Sequence, residues 1–233
     1  MIDTLMTHSI SANTKYNAAR LSHNSIQGHH HSVFEISYYA DANQLRWSMT
    51  VGCLLDPDSP AARYSSRAVL RRPILGCGVL WREGGSTLVI SDPHLPYHHQ
   101  DAFAFLQTVS EAYGCTKFIC TGDVFDHHAG SFHISETDAL DPLTEYRRAT
   151  AAGRELQKLF PKMVIAEGNH DRIPKRKLQM INLPENMIKN YNNLYDLDDG
   201  WVWTDKHKFD SKGAQPTLVP MTLNTNGRWN KKL

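Results

Sequence analysis

The order of strand-like and helix-like segments after residue 86 predicts an α/β fold built on a largely parallel, covered sheet. Three short apolar runs, TLVIS (87–91), KFICT (117–121) and MVIAE (163–167), each stop at a turn: Asp92-Pro93, Gly122-Asp123 and Gly168-Asn169. Helix-period stretches separate them. Strands alternating with helices belong to parallel sheets, because the crossover helices cover the sheet faces. Such sheets bind ligands in loops beyond the carboxyl ends of their strands. The three turns are therefore where chemistry is expected.

Each element has its own signal. Residues 101–113 place Phe103, Leu106, Val109 and Tyr113 near helical spacing, which predicts a helix with one buried face. Asp141 caps a second helix with Pro142 in its first turn, running to Pro161. Ahead of these, Ser11–His23 reads as a helix. Ser32–Ala40 and Leu45–Gly52 read as the strands of a hairpin around residues 41–44. Residues 56–60 form a loop and Ile74–Trp81 another strand. Glu83-Gly84-Gly85-Ser86 is the most linker-like stretch, and 182–233 shows too little periodicity to place elements.

Composition narrows the function. With 41% hydrophobic and 21% charged residues, the 233-residue chain is globular. Lys+Arg 25 against Asp+Glu 24 gives a net charge of +1, so no global basic field grips nucleic acid. No window approaches the ~20 apolar residues of a membrane helix, and the first residues lack a signal-peptide pattern. The expectation is a cytoplasmic protein, in the host cytoplasm if phage-encoded, with no membrane partner. Cys53, Cys77, Cys115 and Cys120 form no CxxC pair and read as reduced thiols, Cys53 and Cys77 in the core. Histidine is the outlier. Of 13, eight crowd into 29–31, 94–99 and 127–128. Histidine is the commonest transition-metal ligand and a near-neutral acid or base, so the composition points to a metal site.

Three motifs follow the three strands: Asp92-Pro93-His94, Gly122-Asp123-Val124-Phe125-Asp126 and Gly168-Asn169-His170-Asp171. A carboxylate and an imidazole two residues apart on an extended loop reach one cation together. A glycine before Asp123 or Asn169 lets the backbone turn sharply. Asp123 has two oxygens with which to bridge two cations, and Asn169 adds a neutral oxygen ligand. Singly, each aspartate reads as a turn or cap residue. The three in this order, each at a strand end, are far more specific.

DPH, GDVFD and GNHD resemble the calcineurin-like metallophosphoesterase superfamily. In that family a lone His and then a G-H-x-H follow. No histidine follows His207 here, but Gly28-His29-His30-His31 and Thr7-His8-Ser9 lie at the front. The resemblance therefore implies a circular permutation of one domain. Residues 1–80 are equivalent to the usual C-terminal part, 81–86 form a joint, and 87–233 are the usual N-terminal part. The old connection runs from Leu233 into Met1. The implied fold is the family's β-sandwich flanked by helices, in four αββα layers. GDVFDHHAGSFH, GNHDRIPKRK and the stretch from Val51 to Leu80 are most similar to stand-alone phosphoesterases of phage and prophage type. Two other readings stay open: residues 1–80 docking on a second copy as a swapped dimer, and 28–31 as a tag scar or solvated histidine run.

The resemblance also implies roles. One metal site holds Asp92, His94 and His31; the other holds Asn169, His8 and His29, with Asp123 bridging. The cofactors are two divalent ions, Mn²⁺ first, with Fe, Zn²⁺ or Ni²⁺ as alternatives. A metal-activated hydroxide attacks phosphorus, His170 serves the leaving oxygen, and Asp126 orients His170. The implied activity is phosphoester hydrolysis, by a phosphodiesterase, nuclease-like or nucleotide phosphatase, in a monomer or homodimer. The alternatives are a protein Ser/Thr-type phosphatase and an inactive scaffold. The former usually has Asp-Arg-Gly where this chain has Asp126-His127-His128, which counts against it. Arg172 and His128 are the candidate substrate contacts, with His133 as another. Arg172, Lys175, Arg176 and Lys177 form a basic cluster suited to a polyanion or to a solvated helix face. His98 and His99 read as a solvated loop, and Trp201 and Trp203 as buried packing.

Overall fold

The computed structural model describes residues 3–42, 44–66, 72–132, 138–231 and 233. In chain order the strands are β1 (Thr4–Met6), β2 (Asn24–Gln27), β3 (Glu35–Ala40), β4 (Leu45–Thr50), β5 (Gly76–Trp81), β6 (Ser86–Ile90), β7 (Cys115–Cys120), β8 (Met163–Ala166), β9 (Trp201–Thr204), β10 (His207–Phe209) and β11 (Gln215–Pro220). The helices are α1 (Thr14–Arg20), α2 (Pro60–Ser66), α3 (Ala102–Ala112), α4 (Pro142–Leu159), α5 (Ile173–Met180) and α6 (Tyr191–Leu194). The strands form a five-stranded sheet, β10-β1-β2-β4-β3, and a six-stranded sheet, β11-β5-β6-β7-β8-β9.

The three apolar runs become β6, β7 and β8, adjacent and parallel, as expected. Their alternate faces serve two cores. Val89 and Ile119 point toward the other sheet, where they meet Met6, Ile26, Trp47 and Met49. Leu88, Ile90, Cys120 and Ile165 point outward onto Phe105, Leu106 and Leu156 of α3 and α4. A strand buried on both faces must be apolar at every position, which explains runs without alternation. The five-stranded sheet alternates instead. Trp47 and Met49 face the inter-sheet core, while Ser48 and Thr50 face α1, where Thr50 and Thr14 share a 2.8 Å hydroxyl contact. The layers are thus α1, sheet, sheet and α3 with α4, the expected four-layer α/β sandwich.

Several boundaries move. The helix expected over 11–23 is only α1, capped by the Asn13 side chain accepting from the Tyr16 amide at 2.9 Å. The stretch 83–86 is no free linker. It is the turn of an antiparallel β5–β6 hairpin, with Gly84 and Gly85 at φ +83° and +138°. Strands β1, β2 and β9 to β11 had no legible signal. Cys53 and Cys77 are fully buried. His98 and His99 are not solvated: His99 is buried, donates from Nε2 to the Gly227 carbonyl at 3.0 Å and accepts from the Asp101 amide, while His98 stacks on Phe103. Trp201 and Trp203 are packing residues, donating to Phe160 O and Asn192 Oδ1, each at 2.9 Å.

The front of the chain is held by β10. Asp3 donates its amide to the Phe209 carbonyl at 3.2 Å and accepts from the Ser211 amide at 2.8 Å. Residues 212–231 then continue through β11 and finish against α3, where Arg228 and the Trp229 amide engage Asp101. The segment that abuts Asp3 is therefore the end of β10.

Candidate metal centre

The carboxyl ends of β6, β7 and β8 deliver Asp92, Asp123 and Asn169 to one place, and the ends of β1 and β2 deliver His8, His29 and His31 to the same place. The backbone there is unusual. Asp92, His94, Asp123 and His29 all adopt left-handed φ, between +46° and +64°. Such conformations cost a non-glycine residue about 1–3 kcal/mol and persist only where the surroundings impose them. Gly122, at φ +110°, supplies the turn into Asp123 that glycine was expected to make. Gly28 and Gly168 are needed for space. A Cβ on Gly28 would lie 2.1 Å from an Asp92 oxygen, and one on Gly168 2.0 Å from an Asp123 oxygen.

The donor atoms form two adjoining groups. In one, His31 Nε2 is 3.3 Å from Asp92 Oδ1 and 3.2 Å from His94 Nε2. In the other, His8 Nε2 is 2.9 Å from Asn169 Oδ1, 3.1 Å from His29 Nδ1 and 3.2 Å from Asp123 Oδ2. Asp123 Oδ2 also lies 3.8 Å from His94 Nε2, between the groups. All these residues belong to a single chain.

This donor set fits cations. His8 donates from Nδ1 to the Thr121 carbonyl at 3.0 Å, so its Nε2 lone pair faces the cluster. His94 donates from Nδ1 to Asp126 Oδ1 at 2.5 Å, so its Nε2 faces that of His31. Lone pairs of nitrogen and carboxylate oxygen at contact distance repel unless something positive lies among them. One proton on His8 Nε2 serves one acceptor at a time, whereas a divalent cation serves all of them. Imidazole nitrogens, carboxylates and a carboxamide oxygen together suit a first-row divalent metal.

Electrostatics point the same way. Burial would depress His8, but Asp123, its hydrogen bond and Asp92 carry the imidazole up to about 10. Burial would raise Asp123, yet His8, His170 and His94 hold it well below the usual carboxylate range. Asp92 is lowered too, with burial opposed by His31 and His8. A concentrated negative field thus draws protons, and a cation competes for the same lone pairs.

Supporting contacts define what the motifs left unassigned. The His29 amide donates to both Asp92 oxygens, at 3.1 and 2.9 Å, and the Ser91 hydroxyl donates to Asp92 Oδ2. Asp123 Oδ1 accepts from the His170 amide at 2.8 Å. Asp171 accepts from the amides of Phe125 at 3.0 Å and Gly168 at 2.9 Å, fastening the second motif to the third. Burial, reinforced by Asp123, pushes Asp171 up to about 7. Its place in the Gly168–Asp171 motif was the available signal. Backbone donors and the Thr121 carbonyl leave no mark in side-chain types.

His170 lies beside the first group, ring centroid 4.7 Å from that of His94. Its Nδ1 donates to the Asp126 carbonyl at 2.8 Å and lies 3.2 Å from the Asp126 carboxylate. Burial opposes the charged ring, but Asp126 and Asp123 raise His170 to about 10. Asp126 therefore holds two imidazoles, His94 as well as His170. The substrate-contact candidates fare differently. His128 is buried, edge-on to Tyr97, with Nδ1 3.7 Å from Asp126, so it faces the interior rather than a substrate. Arg172 reaches Asp205 and lies 3.4 Å from Glu167. His133 falls outside the described residues.

A model of calcineurin-like phosphoesterases matches residues 85–230, well over half of the chain. The chain belongs to that family. Its members are metal-dependent hydrolases of phosphoesters, and this chain is such an enzyme. No curated protein and no solved structure matches it. The match leaves out residues 1–84 of this phosphoesterase, which carry His8, His29 and His31. Among the described residues no helix is long and apolar enough to cross a membrane.

Proposed function

We propose that this phosphoesterase holds two divalent cations, Mn²⁺ first among them, and hydrolyses phosphodiester or nucleotide phosphoester bonds. Asp92, His94 and His31 would hold one cation, and Asn169, His8 and His29 the other, with Asp123 shared. The supporting observation is that His8, from the chain's front, meets Asp123 and Asn169 through one nitrogen at 2.9–3.2 Å. When bound, two cations polarise the phosphoryl oxygens and lower the pKa of a water that attacks phosphorus.

The chain's own groups supply the rest. With Nδ1 of His170 committed to Asp126, Nε2 is the nitrogen that carries a proton to the leaving oxygen. Asp126 keeps that ring charged and sets the tautomer of His94. Substrate size is supported by a cavity of about 350 Å³ that shares His8 and Asn169 with the centre and is also lined by Arg172 and Lys206. That volume suits a nucleotide-sized group. Arg172 is then the one member of the basic cluster beside the centre. Lys175 is tied to Glu167, and Arg176 and Lys177 lie over the Phe132 ring. This favours a small phosphoester over a long polyanion. His127 and His128, both turned inward, present no cation where Ser/Thr phosphatases carry arginine.

The permutation and phage-type relationship belong to this reading. The family match starting at residue 85, with ligands supplied by residues 8–31, supports it. The contact of Asp3 with Ser211 supports a joint near the end of β10 rather than at Leu233. A cytoplasmic monomer or homodimer completes the proposal.

The test is hydrolysis of bis-p-nitrophenyl phosphate in Mn²⁺ by the wild type, Asp123→Asn and His170→Ala, with melting curves alongside. Loss of turnover in both variants at unchanged metal-free melting temperature is expected. Undiminished turnover would refute the assigned roles, and metal-free, inactive wild-type protein would favour a scaffold.

A further inference from the structure

The inner face of the six-stranded sheet is not fully covered. Register aligns Val89, Ile119, Val164 and Val202 across β6 to β9 as one apolar row. Continuing that register two residues toward the strand starts gives Thr87, Lys117, Lys162 and Gly200. Both rows face the other sheet, but β10 is only three residues long and closes the gap incompletely. What remains is a cleft of about 700 Å³ between the sheets, with Phe209 of β10 on its far wall. Val202 is 56% exposed within it. The metal centre lies at the opposite ends of the same strands. Lys117 precedes Asp123 by six residues, on the order of 20 Å of extended chain.

Two features of the cleft favour an amphiphilic ligand. It is apolar in depth yet cationic at its mouth. Lys117 of β7 and Lys162, the residue just before β8, both line it, and like charges facing one space repel. Among the described residues neither lysine has an ion-pair partner. Arg82 adds a third cation at the rim, in the field of Asp210, and Asp199 is the other carboxylate lining the space. Cations outnumber carboxylates, and an anion between the two ammonium groups would relieve their repulsion through charge-assisted hydrogen bonds.

We propose that this cleft binds a monomeric amphiphile, with its apolar body against Ile119, Val164, Val202 and Phe209 and its anionic head between Lys117 and Lys162. The assignment is independent of the hydrolytic reading, because binding is measured without turnover. The experiment titrates decanoate, below its micelle threshold, into the full chain by calorimetry, with 1-decanol as the uncharged probe. A saturable single site for decanoate is expected, at least about tenfold weaker for decanol and for Lys117→Gln/Lys162→Gln. Val202→Trp, which fills the cleft from an edge strand, is expected to abolish binding. Melting curves and bis-p-nitrophenyl phosphate hydrolysis should match the wild type in every variant. Equal affinity for decanol, or binding that survives both changes, overturns the proposal. So does retention on phosphatidylglycerol vesicles without binding of monomeric decanoate, which assigns the lysines to a bilayer surface.

Discussion

His8 donates its Nδ1 hydrogen to the Thr121 carbonyl at 3.0 Å, across 113 residues of sequence. The bond joins the front of the chain to the end of β7 and decides which ring nitrogen faces Asp123. Through it, the position of one imidazole depends on the packing of both sheets.

Cation binding should report that dependence. A ligand held at about 100 times its Kd stabilises the native state by about 2.7 kcal/mol. Mn²⁺ is expected to raise the melting temperature of the wild type accordingly, and His8→Ala should lose most of that shift while melting normally without metal. An undiminished Mn²⁺ shift in His8→Ala would remove His8 from the centre.

Asp126→Asn acts on two rings at once. Its carboxylate sets His94 and neighbours His170, so both cation affinity and turnover should fall. Affinity is expected to drop about 10–100-fold, and kcat by about 100-fold or more. Isothermal titration with Mn²⁺ and steady-state kinetics separate the two. A change in kcat alone would confine Asp126 to His170.

Glu145 of α4 makes stability depend on pH. Burial, aided by Asp126 and opposed by the Ala129 amide, raises its carboxyl to about 7, above the ordinary glutamate value of 4.5. The folded state then binds more protons than the unfolded chain between these values. Its contribution is fully present below about 4.5 and is lost as pH rises through 7, with a slope of at most about 1.4 kcal/mol per pH unit. Glu145→Gln should flatten this part of the profile. Denaturation midpoints at pH 5 and 8 provide the check, and parallel profiles for the two proteins would contradict it.

Asp171→Ala should destabilise the protein by about 2–4 kcal/mol, since two buried amides lose their acceptor. Asp171→Asn, which keeps one carbonyl oxygen, should recover part of the loss. Thermal unfolding of the metal-free proteins measures both, and wild-type melting of Asp171→Ala would exclude the fastening role.

The legible parts of the protein share a physical cause. β6, β7 and β8 are buried on both faces, so burial required an uninterrupted apolar run followed by a polar turn, and each such run could be read. β1, β2 and β10 are short, and their outward positions carry Thr, Asn, Ser and Lys, so they left no comparable pattern. The side chains of the candidate centre stood in the motifs, but His98, His99 and His128 were buried by packing that no local pattern announces.

The amino-acid order by itself determined the α/β class, the three strand-end motifs and the candidate donor residues, because those follow from local hydrophobicity, turn chemistry and ligand type. Only the tertiary structure decided that His8, His29 and His31 reach Asp123 and Asn169, that 83–86 closes a hairpin, and that a cleft opens between the sheets. These depend on contacts between residues tens to hundreds of positions apart, and such contacts are set by the packing of two sheets rather than by any segment alone.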